Sequence, residues 1–354
     1  MQNEIKKVIF KVLTPTGSGS CFKLQGYDFF ITNYHVVEGF LEVALEDREK
    51  NRFLAKVVML NKKLDLAFLY AANLEKLQSP IIIDKNLNME NIQQVKIYGY
   101  PFGMGLTVTQ GIISSYKQKI DSVEYIQTDA AINPGNSGGA MLDDNRLVGV
   151  VCSKFSDADN VGFAISYLEL QKELELFRLD KNTFLIKCLN CNSFINQEEK
   201  FCKHCGSSTQ NAFYKLSKPS YIEELIDSLL EELGLNPTLC RIGQVYWSFY
   251  YKEALIRIFD TAREYFFVTA PINSLPQENL EEVLEYIVKN PKREFMLGLD
   301  NNNIYLSYRI HKEHLYNKPF LKTILNNIKT MIQEAPKIQT KLADEFGCKK
   351  FRDN

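Results

Sequence analysis

The segment TDAAINPGNSGGA (128–140) constrains the fold of this chain more than any other stretch. Ser137 stands between two glycine-containing pairs, and glycine tolerates the positive φ and the close backbone approach that a sharp turn requires. A serine hydroxyl becomes a useful nucleophile when such a turn presents it to a general base. The same turn is able to aim the amides of Gly135 and Ser137 at one point, which predicts an oxyanion hole. Glycine-rich turns with a serine are also common without any function, so a catalytic role for Ser137 requires a histidine base and a carboxylate elsewhere in the chain.

Candidate partners for Ser137 lie upstream of it. His35, in ITNYHVV (31–37), is the only one of the four histidines in the first 200 residues, and the apolar run around it indicates a strand that ends at a buried turn. Asp65 is a single charge in the apolar run KLDLAFLY (63–70), and a buried acid is costly unless it is paired. The alternatives are a histidine packed in the core and an aspartate that faces solvent on an edge strand. The chain order His, Asp, Ser is typical of chymotrypsin-type enzymes.

Several further segments extend this pattern into a family resemblance. They are GSGSCF (17–22), ITNYHVV (31–37), LDLAFL (64–69), YGYPFGMGLTVTQGIIS (98–114), YIQTDAAINPGNSGGAML (125–142) and VGFAIS (161–166). Residues 5–178 thereby resemble an HtrA-type trypsin-like serine protease. The resemblance implies two six-stranded β-barrels with the site in the cleft between them. It also implies that His35 is the base, that Asp65 orients it, that Ser137 is the nucleophile, and that Gly135 and Ser137 supply the oxyanion amides.

The chain departs from the resembled family in two places. No PDZ domain is evident, and the N-terminus lacks the apolar core of a signal peptide, so the alternation that begins at Ile5 predicts a first strand instead. Alignment with the family places four residues in the substrate pocket, namely Val151, Cys152, Ser153 and Phe163. A pocket with these walls and no acid at its base favours a small or medium apolar side chain. The alternative for Cys152 is a small buried hydrophobic residue.

The net charge and the cysteines indicate which partners and which cellular compartment suit this protein. The net charge is −1, so bulk electrostatics favour neither nucleic acid nor an anionic membrane, and no apolar run approaches the ~20 residues needed to span a bilayer. Four of the eight cysteines form two CxxC pairs and the others are scattered singly, which predicts a reducing cytoplasm. The alternative is a secreted protein whose signal peptide has been removed.

The segment CLNCNSFINQEEKFCKHC (188–205) predicts a zinc ribbon at residues 179–210. Its two CxxC pairs bring four thiolates within reach of one tetrahedral Zn²⁺, and the ligands are Cys188, Cys191, Cys202 and Cys205. Four protein ligands leave no open position, so this single zinc ion is expected to be structural. A redox dithiol pair and a rubredoxin-type iron site are the alternatives.

Residues 211–354 show a different, mixed pattern of helices and strands. The predicted order is α-β-β-β-α-β-β-α, with a last helix over about 319–346 that is interrupted at Pro336. This order resembles the type III secretion chaperone-like (YbjN-like) fold, which implies a binding module that grips another polypeptide. The aromatic run YWSFYY (246–251) is consistent with such a groove, although a half-buried sheet face explains it as well.

The sequence as a whole predicts a multidomain protein. An all-β, chymotrypsin-like double barrel at 1–178 is followed by the zinc ribbon and by an α+β binding or sensor domain. The leading functional hypothesis is a cytoplasmic serine endopeptidase that cleaves protein substrates and is regulated by a partner or ligand at its C-terminal domain, with a homo-oligomer also allowed. By analogy, stress response or defence against phage would suit such an enzyme. The alternative is a non-catalytic scaffold; nucleic-acid binding through the ribbon has little support, because residues 181–218 form no dense basic patch.

Overall fold

The chain folds into two compact units, Met1–Lys218 and Pro219–Asn354. The computed structural model describes residues 1–120, 123–152, 161–181, 183–196, 199–209, 216–261, 264–289 and 294–352. The division falls a few residues beyond the boundary near residue 211 that the sequence predicts. None of the helices within the described ranges combines membrane-spanning length with a sufficiently apolar composition.

The first barrel is a closed sheet of six antiparallel strands. These strands are β1 (Ile9–Thr14), β2 (Gly17–Lys23), β3 (Phe30–Thr32), β4 (Glu42–Glu46), β5 (Arg52–Asn61) and β6 (Leu66–Tyr70). Their order is β5-β4-β1-β2-β3-β6, and β6 also pairs with β5, which closes the ring. Apolar side chains such as Phe10, Val12 and Leu69 fill its interior. The predicted six-stranded barrel is therefore confirmed.

A short helix, α1 (Gln2–Lys6), precedes the first barrel where the sequence predicts the start of a strand. Ile5 and Val8 are nevertheless both buried, with 1% exposure each. Their spacing of three residues places both on one face of a helical turn, whereas residues three apart in a strand face opposite sides. The strand prediction holds only from Ile9 onward.

The second barrel is built from seven strand segments. These are β7 (Val95–Gly99), β8 (Thr107–Gly111), β9 (Ile113–Ile120), β10 (Val123–Thr128), β11 (Ala140–Asp143), β12 (Arg146–Cys152) and β13 (Gly162–Ser166). Their order is β8-β7-β11-β12-β13-β10-β9. The two outermost segments, β8 and β9, are separated by Ile112 alone, so one bent strand joins both edges of the sheet. Counted in this way, the ring again contains six strands.

The cysteine-rich segment belongs to the first unit. Helix α3 (Tyr167–Leu176) follows the second barrel and leads to a hairpin of β14 (Leu185–Lys187) and β15 (Phe194–Asn196). Strand β14 runs parallel to β5, with Leu185 opposite Met59 and Ile186 opposite Leu60. The hairpin therefore extends the sheet of the first barrel, and Cys188 and Cys202 are buried in the same apolar cluster as Phe10 and Val12.

The second unit packs helices against an antiparallel sheet. Its helices are α4 (Tyr221–Glu232), α5 (Pro237–Cys240), α6 (Leu280–Lys289), α7 (Lys312–Leu315) and α8 (Lys318–Phe346). Its strands are β16 (Arg241–Gly243), β17 (Tyr246–Tyr251), β18 (Ala254–Asp260), β19 (Tyr265–Ser274), β20 (Met296–Asp300), β21 (Asn303–His311) and β22 (Lys349–Lys350). The six main strands have the order β16-β17-β18-β19-β21-β20, and β22 pairs with β19. The longer elements follow the order that the sequence predicts.

The predicted interruption of the last helix at Pro336 is wrong, and the aromatic run has the burial pattern of a sheet face. Helix α8 continues through Pro336, because Ile332, Ala335 and Pro336 lie on its buried face and packing outweighs the one backbone hydrogen bond that proline forfeits. In β17, Trp247 is fully buried whereas Tyr250 is 50% exposed. This alternation is that of a half-buried sheet face.

Candidate active site

His35 and Asp65 reach the same point from two different turns of the first barrel. His35 lies in the single helical turn α2 (Tyr34–Val37), directly after β3. Asp65 ends the turn that connects β5 to β6, and it has a left-handed backbone with φ of +55°. A non-glycine residue in this conformation costs of order 1–3 kcal/mol, and such strain persists only where the surroundings hold it.

Two contacts between the side chain of Asp65 and His35 fix the imidazole ring. The Nδ1 atom of His35 lies 2.8 Å from Oδ2 of Asp65, and the backbone N–H of His35 donates to Oδ1 at 3.0 Å. The side chain of Asp65 is 10% exposed, whereas that of His35 is 40% exposed. With its proton on Nδ1, the ring presents Nε2 as an acceptor on its outer side. This is the arrangement that a general base requires.

The backbone of Asp65 is held as firmly as its side chain. Its carbonyl oxygen accepts a hydrogen bond from Nδ2 of Asn33 at 2.9 Å and another from the backbone N–H of Tyr34 at 3.1 Å. Asn33 is itself fully buried. The two residues that precede His35 therefore clamp the aspartate turn, and the left-handed conformation is retained.

The turn that carries Ser137 fits its surroundings only because it is rich in glycine. Gly138 has φ of +81°, and a Cβ atom there would lie 2.2 Å from the carbonyl oxygen of Ser20 and 2.3 Å from Oγ1 of Thr32. Gly135 has φ of +98°, and a Cβ atom there would lie 2.3 Å from the carbonyl oxygen of Tyr100. Any side chain at either position would push the turn away from these strands.

Contacts around Ser137 bring the serine turn to the histidine and aspartate turns. Its carbonyl oxygen accepts from the backbone N–H of Ser20 at 2.8 Å, and the N–H of Gly138 donates to the carbonyl of Val151 at 2.9 Å. The next residue, Cys152, donates its thiol to Oδ2 of Asp65 at 3.2 Å. Thr32, against which Gly138 packs, lies three residues before His35. The three predicted residues are therefore gathered at the junction of the two barrels.

The peptide groups that carry the predicted oxyanion donors are fixed through their carbonyl oxygens. Pro134 accepts from the N–H of Phe102 at 2.6 Å, and Asn136 accepts from the N–H of Gly139 at 2.9 Å. In a trans peptide the N–H points away from the carbonyl oxygen. The N–H groups of Gly135 and Ser137 therefore point away from Phe102 and Gly139, respectively.

The four predicted pocket residues have different surroundings. Val151 is fully buried and Phe163 is 9% exposed, with its ring roughly perpendicular to that of Tyr125. Cys152 is opposite Phe163 in the β12–β13 pairing, and its thiol contacts the carboxylate of Asp65. Ser153 lies outside the described residues. The sequence contained no signal for the contact between Cys152 and Asp65, because the two residues are 87 positions apart.

The four cysteines of the two CxxC pairs converge on one point. Their sulfur atoms all lie within 4.8 Å of one another, with 3.7 Å between Cys188 and Cys205 and 3.5 Å between Cys191 and Cys202. A zinc–sulfur bond of about 2.3 Å places tetrahedral sulfur ligands about 3.8 Å apart. The cluster therefore fits one tetrahedral zinc ion without rearrangement.

Local hydrogen bonds affect the ionisation of these thiols in opposite directions. The hydroxyl of Ser207 is the main cause that lowers the pKa of Cys205 to about 5. The hydroxyl of Ser193 likewise lowers the pKa of Cys202, whereas burial raises the pKa of Cys188. Two of the four sulfurs are thus predisposed to the thiolate form in which cysteine binds metal.

Comparisons with known proteins find similarity to peptidases. A family model described as a trypsin-like peptidase domain matches residues 17–150. Protease Do-like 1 of the Arabidopsis thaliana chloroplast is 36% identical over 162 residues, which are 43% of this chain and 37% of that protein. Serine protease Do-like HtrA of Bacillus subtilis is 36% identical over 164 residues, which are 42% of this chain and 36% of that protein.

Among solved structures, an HtrA-type protease with a tripeptide has a TM-score of 0.45 and 28% identity over 52% of this chain and 64% of that chain. The match covers little more than a third of the length of either curated relative. The family model spans residues 17–150, a range that includes His35, Asp65 and Ser137. Residues 17–150 therefore match a trypsin-like peptidase domain, and the chain is similar to serine proteases of the HtrA type.

Proposed function

We propose that this protein is a serine endopeptidase that cleaves protein substrates through an acyl-enzyme intermediate. Ser137 Oγ attacks the carbonyl carbon of the scissile peptide while His35 Nε2 takes its proton. Asp65 stabilises the imidazolium that forms, and the amides of Gly135 and Ser137 stabilise the oxyanion. His35 then gives the proton to the leaving amine, and water hydrolyses the ester on Ser137. The observation that carries this proposal is the double contact between His35 and Asp65 beside the glycine-rich serine turn.

Labelling with a fluorophosphonate probe tests the nucleophile. We expect the wild-type protein to be labelled at Ser137 and the Ser137→Ala variant to show no labelling, because only an activated serine displaces fluoride from the probe. New protein N-termini in cells that express wild type, compared with cells that express Ser137→Ala, then report substrates and subsite preference. If the wild-type protein is folded, with the same melting temperature as Ser137→Ala, and still is not labelled, the non-catalytic scaffold becomes the better explanation.

We propose further that the ribbon holds one structural zinc ion through Cys188, Cys191, Cys202 and Cys205. The spacing of the sulfurs supports this proposal. Zinc bound in this way would link the two CxxC pairs and would not be catalytic, because four thiolates fill its tetrahedral shell. A metal content of one zinc per chain, measured by mass spectrometry under native conditions, is the expected result.

We propose that the second unit is a sensor or adaptor that controls the first. Its support is a separate apolar core and a sheet face with partly exposed aromatic side chains, including Tyr246, Phe259 and Phe267. Casein cleavage by the full chain and by residues 1–218 should differ, and addition of cell lysate should change only the cleavage by the full chain. Identical rates under all four conditions would contradict regulation by the second unit.

We also propose a cytoplasmic location. In support, no disulfide links any of the eight cysteines, all of which lie in the described part of the chain. Fractionation of cells that produce the natural protein, followed by antibody detection, would place it; recovery in a secreted or periplasmic fraction would contradict the proposal.

A further inference from the structure

A hydrogen bond joins the cysteine-rich hairpin to the strand that leads into the catalytic aspartate. Nδ2 of Asn61, the last residue of β5, donates to Oδ1 of Asn192 at 3.4 Å. Asn192 directly follows the sulfur ligand Cys191. Asn61 is fully buried, so the amide N–H is shielded from water. The parallel pairing of β14 with β5 ends at Leu60 and brings these two amides together.

The other end of the Asn61 side chain shapes the turn that carries Asp65. Its Oδ1 atom accepts a hydrogen bond from the backbone N–H of Leu64 at 3.0 Å, and this contact is buried. Asn61 pairs with Leu66 across the β5–β6 hairpin, so the intervening four residues form the turn. Asp65 closes it with its left-handed φ of +55°. A planar amide holds its donor and acceptor in a fixed relation, so the position of Asn192 influences the orientation of the acceptor that Leu64 uses.

The ribbon, in turn, fixes the position of Asn192. Its backbone is left-handed with φ of +60°, and its N–H donates to the carbonyl of Cys188 at 3.0 Å. Its Nδ2 donates to Oε1 of Glu173 at 3.1 Å, and its carbonyl accepts from Nζ of Lys187 at 3.1 Å. Lys187 and Glu173 form an ion pair at 3.1 Å, with both side chains only 2% exposed. The loop between two cysteine ligands and a buried ion pair thus hold this one asparagine.

We propose that the zinc-loaded ribbon positions the catalytic aspartate, and that Asn192 and Asn61 are the positioning residues that connect them. The inference rests on the proposed protease function and on zinc as the ribbon's metal. When the ribbon loses zinc, the loop from Cys188 to Cys191 is no longer held, and Asn192 no longer fixes the amide of Asn61. The turn at Leu64 and Asp65 then relaxes, and the contact between Asp65 and His35 weakens. Protease activity therefore follows the zinc occupancy of the ribbon.

The main test uses the full-length, zinc-loaded protein with Asn192→Gly. Glycine keeps the left-handed backbone at this position while it removes the amide. We expect kcat to fall about tenfold with KM nearly unchanged, because a catalytic group is displaced whereas substrate binding is not. Zinc content should equal that of the wild type. The matched control is Asn302→Gly, because Asn302 also has a left-handed backbone, with φ of +64°, but lies in the exposed turn between β20 and β21. Its kcat should equal that of the wild type.

A second measurement separates positioning from a general loss of stability. The proton between Nδ1 of His35 and Asp65 should give a downfield NMR resonance, and Asn192→Gly should shift or broaden it. In a double-mutant cycle, Asn61→Ala combined with Asn192→Gly should lower kcat no more than Asn61→Ala alone, since both changes break the same connection. A drop in melting temperature alone, with kcat and the resonance at their wild-type values, would overturn the inference.

The zinc dependence is tested in Ser137→Ala, so that turnover is not needed. A chelator should shift or broaden the His35 resonance, and added Zn²⁺ should restore it. An unchanged resonance in the zinc-free protein would overturn the inference. If the wild type proves inactive while this resonance still follows zinc, the protease function fails and the connection between ribbon and aspartate stands.

Discussion

Replacement of the orienting carboxylate, in Asp65→Asn, should lower kcat for peptide hydrolysis by about 10⁴-fold, the loss typical of this change in a Ser-His-Asp triad. The carboxylate accepts from both the backbone N–H and Nδ1 of His35. An amide offers only one acceptor oxygen, so either the ring or the backbone contact is lost. If the amide N–H faces the ring, it favours the tautomer with its proton on Nε2, which is unable to act as base. The negative charge that stabilises the imidazolium is lost as well.

The chain offers a matched control for this substitution. Asp144, between β11 and β12, also has a left-handed backbone, with φ of +53°, but it lies in an exposed turn. Asparagine tolerates this conformation, so neither Asp65→Asn nor Asp144→Asn should disturb the backbone. Steady-state kinetics on one fluorogenic peptide should show the loss only for Asp65→Asn. A kcat for Asp65→Asn within tenfold of the wild type would mean that the carboxylate does not orient the base.

Substitution of one of the proposed zinc ligands, in Cys202→Ser, should abolish zinc binding. Cys202 is buried, with its sulfur 3.5 Å from that of Cys191. Metal binding contributes about 10–16 kcal/mol to the folding of small zinc modules, far more than the few apolar residues of this hairpin supply. We therefore expect the metal content to fall from one zinc per chain to nearly none, and the amides of β14 and β15 to exchange with solvent deuterium much faster.

Cys348→Ser provides the control, because Cys348 is also buried but belongs to the second unit. It should keep the full zinc content and the slow exchange of β14 and β15. In Cys202→Ser the first barrel should remain protected, since its ring closes through its own pairing of β5 with β6. Full zinc content in Cys202→Ser, or a zinc-free wild type purified without chelator, would show that the four sulfurs do not form a zinc site.

Local patterns in the sequence predicted much of this molecule. The glycines around Ser137 predicted a tight turn, and the structure shows positive φ at Gly135 and Gly138 with no room for a Cβ atom. The CxxC spacing predicted that four cysteines converge, as their sulfurs do. Hydrophobic periodicity predicted the order of the long elements in the second unit. In each case the residues that form the pattern lie in one short stretch of the chain, so a local window contains the signal.

Other features depend on which distant strands become neighbours. The thiol of Cys152 contacts Asp65 only because β12 passes beside the β5–β6 turn, and Asn192 reaches Asn61 only because β14 adds to β5 in parallel. Helix α8 runs through Pro336 because core packing outweighs a local preference. The sequence by itself therefore determined the chemical groups and the local turns that present them. Only the tertiary structure decided their partners, because sheet register joins residues whose separation along the chain leaves no periodic signal.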